Sequence, residues 1–295
     1  MGAPTAPDEH RYRSRDDYVG HMMPARWLAR VEAEHAYASS FGSDGAISGF
    51  CSICAQQARF RFAPGAGDDP PNWRESLHCD RCGLFSRIRF SLDQLLRRGP
   101  LAGQRIYITE QTTAVYAWLK RSGAIVRGSE YVTDPARRAS LDAYVREITG
   151  GADAALDIED VTRLSFADSS HDAVLSFDVL EHVPDFRTAL REFRRVLVPG
   201  GTLIFTVPFD VQRDTTLVRA RIGADGAIEH LVEPEYHGDP TTSEGCLAFY
   251  TYGWDLLDEL RGAGFDEAYV ESQWAPALGY LGAQLTLVAR AGEPT

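Results

Sequence analysis

Long apolar runs are absent: no stretch approaches the roughly 18 uninterrupted apolar residues that a membrane helix needs. The opening residues, MGAPTAPDEHRYRSRDD, lack the apolar core of a secretory signal, so a cytoplasmic protein without a membrane span is expected. A Met-Gly start raises the question of a lipid anchor, but Ala6 stands where a myristoylation signal requires Ser or Thr. Lysine is nearly missing. Lys120 is the one lysine among 30 basic residues, a usage that reflects genome base composition rather than mechanism. Cysteine is scarce, five in 295 residues, and no internal repeat or low-complexity tract lies beyond the N-terminal tail. With 44% apolar residues the chain still has material for one large domain plus a small one, which excludes a disordered protein.

The net charge of −12 is unevenly spread: residues 1–100 hold 13 basic and 12 acidic residues, and the rest of the chain holds 17 and 30. An acidic C-terminal two-thirds repels a phosphate backbone, which argues against a long nucleic-acid track there. A local basic patch near the N-terminus stays open.

Four of the five cysteines form two knuckles, Cys51-Ser-Ile-Cys54 and Cys79-Asp-Arg-Cys82-Gly83, separated by 24 residues. Each CxxC turn brings two sulfurs together, and tetrahedral zinc takes four thiolates at about 2.3 Å. Two disulfides are the alternative; a reducing compartment favours zinc. With four protein ligands such a zinc is structural, because no position is left for substrate. Between the knuckles, PGAGDDPPNWRESLH reads as a polar surface excursion in which Trp73 and Arg74 are conspicuous. Cys246 reads as a small buried hydrophobe rather than a nucleophile, and His78 as a bystander rather than a ligand.

PARWLARVEAEHAY, beginning at Pro24, places Trp27, Leu28 and Val31 on one helix face, which is expected to pack against the rest. Ile88, Leu92, Leu95 and Leu96 recur at helical spacing until RRGPLAG, so a helix links the cysteine module to the larger C-terminal portion, with a boundary near Gly99. From there apolar strand candidates alternate with amphipathic helices. The strands are Arg105–Thr109, Ala124–Arg127, Ala155–Ile158, Ala173–Phe177, Thr202–Val207, Glu267–Val270 and Gln284–Val288. Phe186, Leu190, Phe193, Val196 and Leu197 line a helix that should stop at Pro199-Gly200-Gly201. This alternation predicts a mostly parallel sheet covered on both faces.

The stretch LSFADSSHDAVLSFDVLEHVPDFRTALREFRRVLVPGGTLIFTVPF, residues 164–209, resembles the class I S-adenosylmethionine-dependent methyltransferases (type 11-like). The resemblance implies an α/β fold, a doubly wound, mostly parallel seven-stranded Rossmann-like sheet, here with a small N-terminal zinc-binding module. It divides the chain into an N-terminal helical extension (1–47), a zinc module with linker helix (48–98) and a methyltransferase-like domain (99–295) with an insertion at about 209–252. Carried over by motif, Glu130 in GSEYV grips the cofactor's ribose hydroxyls, Asp160 accepts from the adenine amino group and the Val161 amide donates to an adenine ring nitrogen. Asp178 ends the strand at the sheet edge where such folds bind ligands. An ordinary surface acid at 130 and a plain loop aspartate at 160 are the alternatives.

One departure is clear. The family's first motif resembles D-x-G-x-G-x-G, and the aligned Thr109-Glu110-Gln111-Thr112-Thr113 contains no glycine. Glu110 is then expected to meet the cofactor's ammonium group, and Thr112 and Thr113 its carboxylate, beside the free amides of the following helix.

For the acceptor, a general base is useful if a hydroxyl or amine is methylated. His182, in LEHVPD, lies beyond the fourth strand. The insertion segment EHLVEPEYHGDPTTSEG clusters His230, Glu233, Glu235, Tyr236, His237 and Asp239; His237 is the first choice of base, with Asp239 or Glu235 orienting it. A hydrogen-bonded turn at Gly238-Asp239-Pro240 is the plainer reading, and a second metal held by His237 and acids has no diagnostic spacing. Three functions compete: methylation of a small-molecule or carbohydrate hydroxyl (or amine), with S-adenosyl-L-methionine as cofactor; RNA methylation, with Arg74, Arg81, Arg87 and Arg89 of the zinc module meeting phosphates; and a non-methylating reaction such as cyclisation or elimination. The sequence leaves the acceptor and the oligomeric state open.

Overall fold

The computed structural model describes residues 7–40, 45–62, 72–151, 154–239 and 242–292. The chain divides into two compact units, Met1–Gly99 with Tyr269–Leu287, and Pro100–Ala268 with Val288–Thr295. The segment Tyr269–Leu287, expected within the methyltransferase-like domain, thus groups with the first unit.

The first unit begins with strand β1 (Asp8–Tyr12), helix α1 (Arg15–His21) and helix α2 (Pro24–Ser40). Ser14 caps α1 by accepting from the Asp17 amide at 3.2 Å. The region read as a helical extension therefore also supplies a strand, paired antiparallel with Glu267–Ala275 in the register Tyr12 opposite Val270. On α2 the expected apolar face does not bury: Trp27 and Leu28 are 55% and 50% exposed. Strands β2 (Ala46–Cys51), β3 (Gln56–Phe62) and β4 (Leu77–Cys79) form an antiparallel sheet. Its register sets Cys51 opposite Gln56 and Cys79 opposite Phe60, which brings the two knuckles to one end. Helix α3 (Trp73–Ser76) buries Trp73 against Phe62, so the inter-knuckle segment is not wholly the surface excursion expected. Helix α4 (Ser86–Leu96) buries Ile88, Leu92 and Leu95, as its spacing requires.

The second unit is built on parallel strands β5 (Arg105–Ile108), β6 (Ile125–Gly128), β7 (His171–Phe177) and β8 (Leu197–Thr206), with β6 beside β5, β5 beside β7 and β7 beside β8. Ile106, Tyr107 and Ile108 are all fully buried, the mark of a strand covered on both faces. Helices α5 (Ala114–Lys120), α6 (Pro135–Thr149), α7 (Phe186–Val196) and α8 (Leu256–Gly262) complete the alternation. Phe186, Leu190, Phe193 and Val196 of α7 are buried, but the chain enters β8 at Leu197, before the proline and glycines expected to end the helix.

The strand order is β1, Glu267–Ala275, Tyr280–Arg290, β8, β7, β5, β6, seven strands in a mixed α/β, Rossmann-like sheet. The seventh is not the one expected. Ala155–Ile158 forms only an isolated parallel bridge between Ile158 and Glu130, and β1 completes the count. The reason lies in its partners: the Asp157 amide is taken by the Gln111 side chain and the Leu156 amide by Asp142, so the ladder never extends. The insertion after β8 folds as short hairpins, Ala220–Ile222 with Ile228–His230 and Tyr236–Asp239 with Thr242–Leu247. Among the described residues no helix is long and apolar enough to cross a membrane.

Candidate functional site

The carboxyl ends of β5, β6 and β7 carry most of the expected cofactor residues, and the glycine-free loop is organised around Glu130. A single oxygen, Glu130 Oε1, accepts from the Gln111 amide (2.7 Å), the Thr112 amide (2.9 Å) and the Thr112 hydroxyl (2.7 Å). Two loop amides, and the Thr112 hydroxyl expected to meet the cofactor carboxylate, are thus turned onto a carboxylate that follows the neighbouring strand. Thr113 caps α5 by accepting from the Tyr116 amide at 3.3 Å, while its hydroxyl donates to Glu110 at 3.1 Å. Gln111 is 2% exposed. Its Nε2 donates to the Ala155 carbonyl (2.8 Å) and its Oε1 accepts from the Asp157 amide (2.8 Å). Buried polar side chains hold the glycine-free loop in place. Glycine is instead required one strand away, at Gly128, where a Cβ would stand 2.6 Å from the Tyr116 ring and 2.9 Å from the Glu110 carbonyl. Tyr116 therefore packs under this loop, against the end of β6.

Asp160 turns back on its own segment: Oδ1 accepts from the Thr162 amide (2.8 Å) and the Thr162 hydroxyl (2.6 Å), an Asx-type turn. Val161 follows it, partly exposed. Asp178, at the end of β7, has φ of +52°, a left-handed conformation that asparagine and aspartate tolerate better than other side chains, and its Oδ1 accepts from the Thr206 hydroxyl at 2.9 Å. Such an outlier at the carboxyl edge of a parallel strand sits where open α/β sheets place ligands. These residues offer acceptor-rich edges suited to a nucleoside's hydroxyls and amino group. Much of the acceptor capacity of Glu130 and Asp160, however, is already spent on the chain's own donors.

Beyond Asp178 a short 3-10 turn, Leu180–His182, gathers a second cluster. Glu181, His182 and His237 each offer a ligand atom within 4.8 Å of the others. Glu181 is fully buried. His237 Nδ1 lies 3.4 Å and His182 Nε2 3.8 Å from Glu181 Oε1. The outer ring nitrogens are tied: His182 Nδ1–H donates to the Leu247 carbonyl at 2.8 Å, and His237 Nε2–H donates to Glu235 Oε1 at 2.9 Å. Glu235 is in turn paired with Arg219 at 2.9 Å. Burial raises the Glu181 carboxyl above the usual carboxylate range. The Glu181 carboxylate, with Glu235 behind it, pulls His237 up to about 9 against the opposing effect of burial. At neutral pH an imidazole so placed holds a proton, which makes His237 a weaker general base than its position suggests. Asp239 ends the strand Tyr236–Asp239, and its side chain lies outside the described residues. His230 and Glu233 are exposed on the insertion and absent from the cluster. Glu181 and Gln111 escaped sequence reasoning; the one signal for Glu181 was an acid directly beside the candidate His182.

In the first unit the four knuckle cysteines are free thiols, with all four sulfurs within 4.8 Å of one another. Tetrahedral bonds of about 2.3 Å separate neighbouring sulfurs by roughly 3.8 Å, and Cys54 Sγ stands 3.9 Å from Cys79 Sγ. The Arg81 amide points at Cys79 Sγ at 3.4 Å. Ala55 and Gly83, each following a knuckle, share left-handed backbones with φ of +52° and +73°. This donor set fits a zinc ion. The arginines proposed to meet RNA are differently placed. Arg89 is fully buried, donating to the Leu278 and Gly279 carbonyls at 2.8 and 2.9 Å, and Arg87 is paired with Glu75 at 2.7 Å.

Residues 112–205 match a family model described as a methyltransferase domain. Among curated relatives, the Methyltransferase GfsG of Streptomyces halstedii is 34% identical over 95 residues, 30% of this chain and 31% of that protein. The Arsenite methyltransferase of Aquipseudomonas alcaligenes is 32% identical over 198 residues, 65% of this chain and 50% of that one. The chain thus spans half or less of the length of these relatives. A methyltransferase structure from Mesorhizobium loti is 19% identical, with a TM-score of 0.43 over 68% of this chain and 97% of that one. Residues 112–205 thus match a methyltransferase domain, and they fall on the parallel strands and helices of the second unit.

Proposed function

We propose that this protein uses S-adenosyl-L-methionine to methylate a hydroxyl, or an amine, of a small molecule or carbohydrate. The observation that carries the acceptor class is the Glu181–His182–His237 cluster, which follows Asp178 directly and offers a carboxylate and two imidazoles to a polar acceptor atom. When bound, the cofactor supplies an electrophilic methyl carbon on a sulfonium. The protein's part is alignment: Glu130, Asp160 and the Val161 amide would hold the adenosine half, Asp178 and the loop at Glu110–Thr113 the amino-acid half, and the cluster would orient the acceptor and its proton. Cys51, Cys54, Cys79 and Cys82 would hold a structural zinc. Arsenite is not carried over as acceptor, because the match covers only half of that relative. RNA is disfavoured, since Arg87 and Arg89 are engaged inside the first unit.

A second reading retains the fold but changes the reaction to a cyclisation or elimination. It is favoured by the loop amides of Gln111 and Thr112 being committed to Glu130. Isothermal calorimetry with S-adenosylmethionine separates the two. Binding with a dissociation constant below about 1 mM, a standard free energy of about −4 kcal/mol or stronger, is expected, and absence of heat at millimolar ligand removes the methyltransferase reading.

A further inference from the structure

We propose that Glu181, His182 and His237 bind one divalent transition-metal ion, separate from the four-cysteine site, through one carboxylate oxygen and two imidazole nitrogens. The first observation is Glu181 itself: it is 0% exposed, and neither carboxylate oxygen has a hydrogen-bond partner. A buried carboxylate in that state is costly unless a cation completes it, either the proton that His237 holds 3.4 Å away or a metal ion that takes its place. The second is the pair of histidines. The Leu247 carbonyl and the Glu235 carboxylate can only accept, so His182 Nδ1 and His237 Nε2 must carry protons. Once His237 releases the proton it holds at neutral pH, as metal binding requires, lone pairs lie on His182 Nε2 and His237 Nδ1, the two nitrogens nearest Glu181 Oε1. Metal-ligating histidines are held in this way, the outer N–H bonded to a carbonyl or carboxylate that fixes tautomer and ring orientation.

The spacing agrees. Bonds of about 2.1 Å at tetrahedral angles separate ligand atoms by roughly 3.4 Å, and the two distances to Glu181 Oε1 are 3.4 and 3.8 Å. The frame is stiff: the Phe249 amide donates to the Glu181 carbonyl (2.7 Å), Tyr252 Oη to the Leu180 carbonyl (2.9 Å) and Tyr250 Oη to the Pro184 carbonyl (2.5 Å). Two imidazoles with one carboxylate suit zinc, manganese or iron rather than magnesium or calcium. Three protein ligands leave coordination positions for an acceptor oxygen, whose proton such an ion makes easier to lose. That use in methyl transfer rests on the proposed methyltransferase activity; the metal site does not.

The test counts metal on the full chain isolated without chelator: elemental analysis for bound metal, then titration with Mn²⁺ followed by the electron paramagnetic resonance of the free ion. Two equivalents in total are expected, one of them lost in Glu181→Gln and in His237→Asn, the other in Cys51→Ser. Glu235→Gln, which only orients His237, should weaken Mn²⁺ binding about 10- to 100-fold while Glu235→Asp restores part of it. A wild-type total of one equivalent, or two equivalents kept in both Glu181→Gln and His237→Asn, overturns the proposal. The wild-type count needs no variant to fold. A chain that binds two metals but no S-adenosylmethionine leaves this site standing and removes the methyltransferase reading; the reverse result does the opposite.

Discussion

At the scale of single residues, Glu130 shows how position and role can part. Its place just after β6 is where a ribose-gripping acid is expected, yet one of its oxygens accepts three hydrogen bonds from the loop at Gln111 and Thr112. A carboxylate in this setting fixes the glycine-free turn through its backbone amides. Glu130→Ala strands two amides and a hydroxyl and should cost about 2–4 kcal/mol of stability in the absence of any ligand. Urea denaturation measures this, and an unchanged midpoint and slope would mean that Glu130 acts on ligand alone. The positions of Glu130, Asp178, His182 and His237 could be read from motif order. What their side chains touch could not, because Gln111 and Glu181, the residues that complete both clusters, lie inside motifs that do not say what they touch and are recognisable only by burial.

At the scale of elements, β7 illustrates how a strand stores a pH dependence. His171 opens it, 5% exposed and within 4.9 Å of the Phe166 ring. Burial, with the nearby Arg105 charge, lowers this imidazole from 6.5 to about 4. The folded state therefore holds His171 neutral, while the unfolded chain takes up a proton below about pH 6.5. Stability should be complete above that value and fall as the pH drops from about 6.5 toward 4, by roughly 2 kcal/mol after allowing for solvent screening. Denaturation at about pH 7 and about pH 4.5, compared between wild type and His171→Phe, is the measurement; a fall of the same size in the variant assigns the effect elsewhere. Short apolar runs located β5, β7 and β8, which are buried on both faces, and helical periodicity located α4 and α7. These patterns misjudged Ala155–Ile158, whose amides go to the side chains of Gln111 and Asp142, and α2, whose apolar face is exposed.

At the scale of the whole molecule, the two units draw on different sources of stability. The second has a parallel sheet with buried apolar residues on both faces; the first has a small three-stranded sheet whose knuckles converge on four thiols. A structural zinc in such a site contributes on the order of 10 kcal/mol to folding. Removing the metal with a chelator should abolish hydrogen-exchange protection in Ala46–Phe62 and Leu77–Leu96 while the amides of β5, β7 and β8 stay protected. Zinc loss with protection intact in the cysteine module would refute a structural role.

By itself the sequence determined the class of fold, the four-cysteine donor set and the edge of the sheet on which the carboxylates and histidines fall, because hydrophobic period and local spacing are properties of the chain. Only the tertiary structure decided that β1 rather than Ala155–Ile158 supplies the seventh strand, that Glu130 holds the loop at Gln111 and Thr112, and that His237 meets Glu181 across 56 positions of sequence. Those outcomes depend on which buried polar groups find partners, and partners far apart in the chain leave no periodic trace.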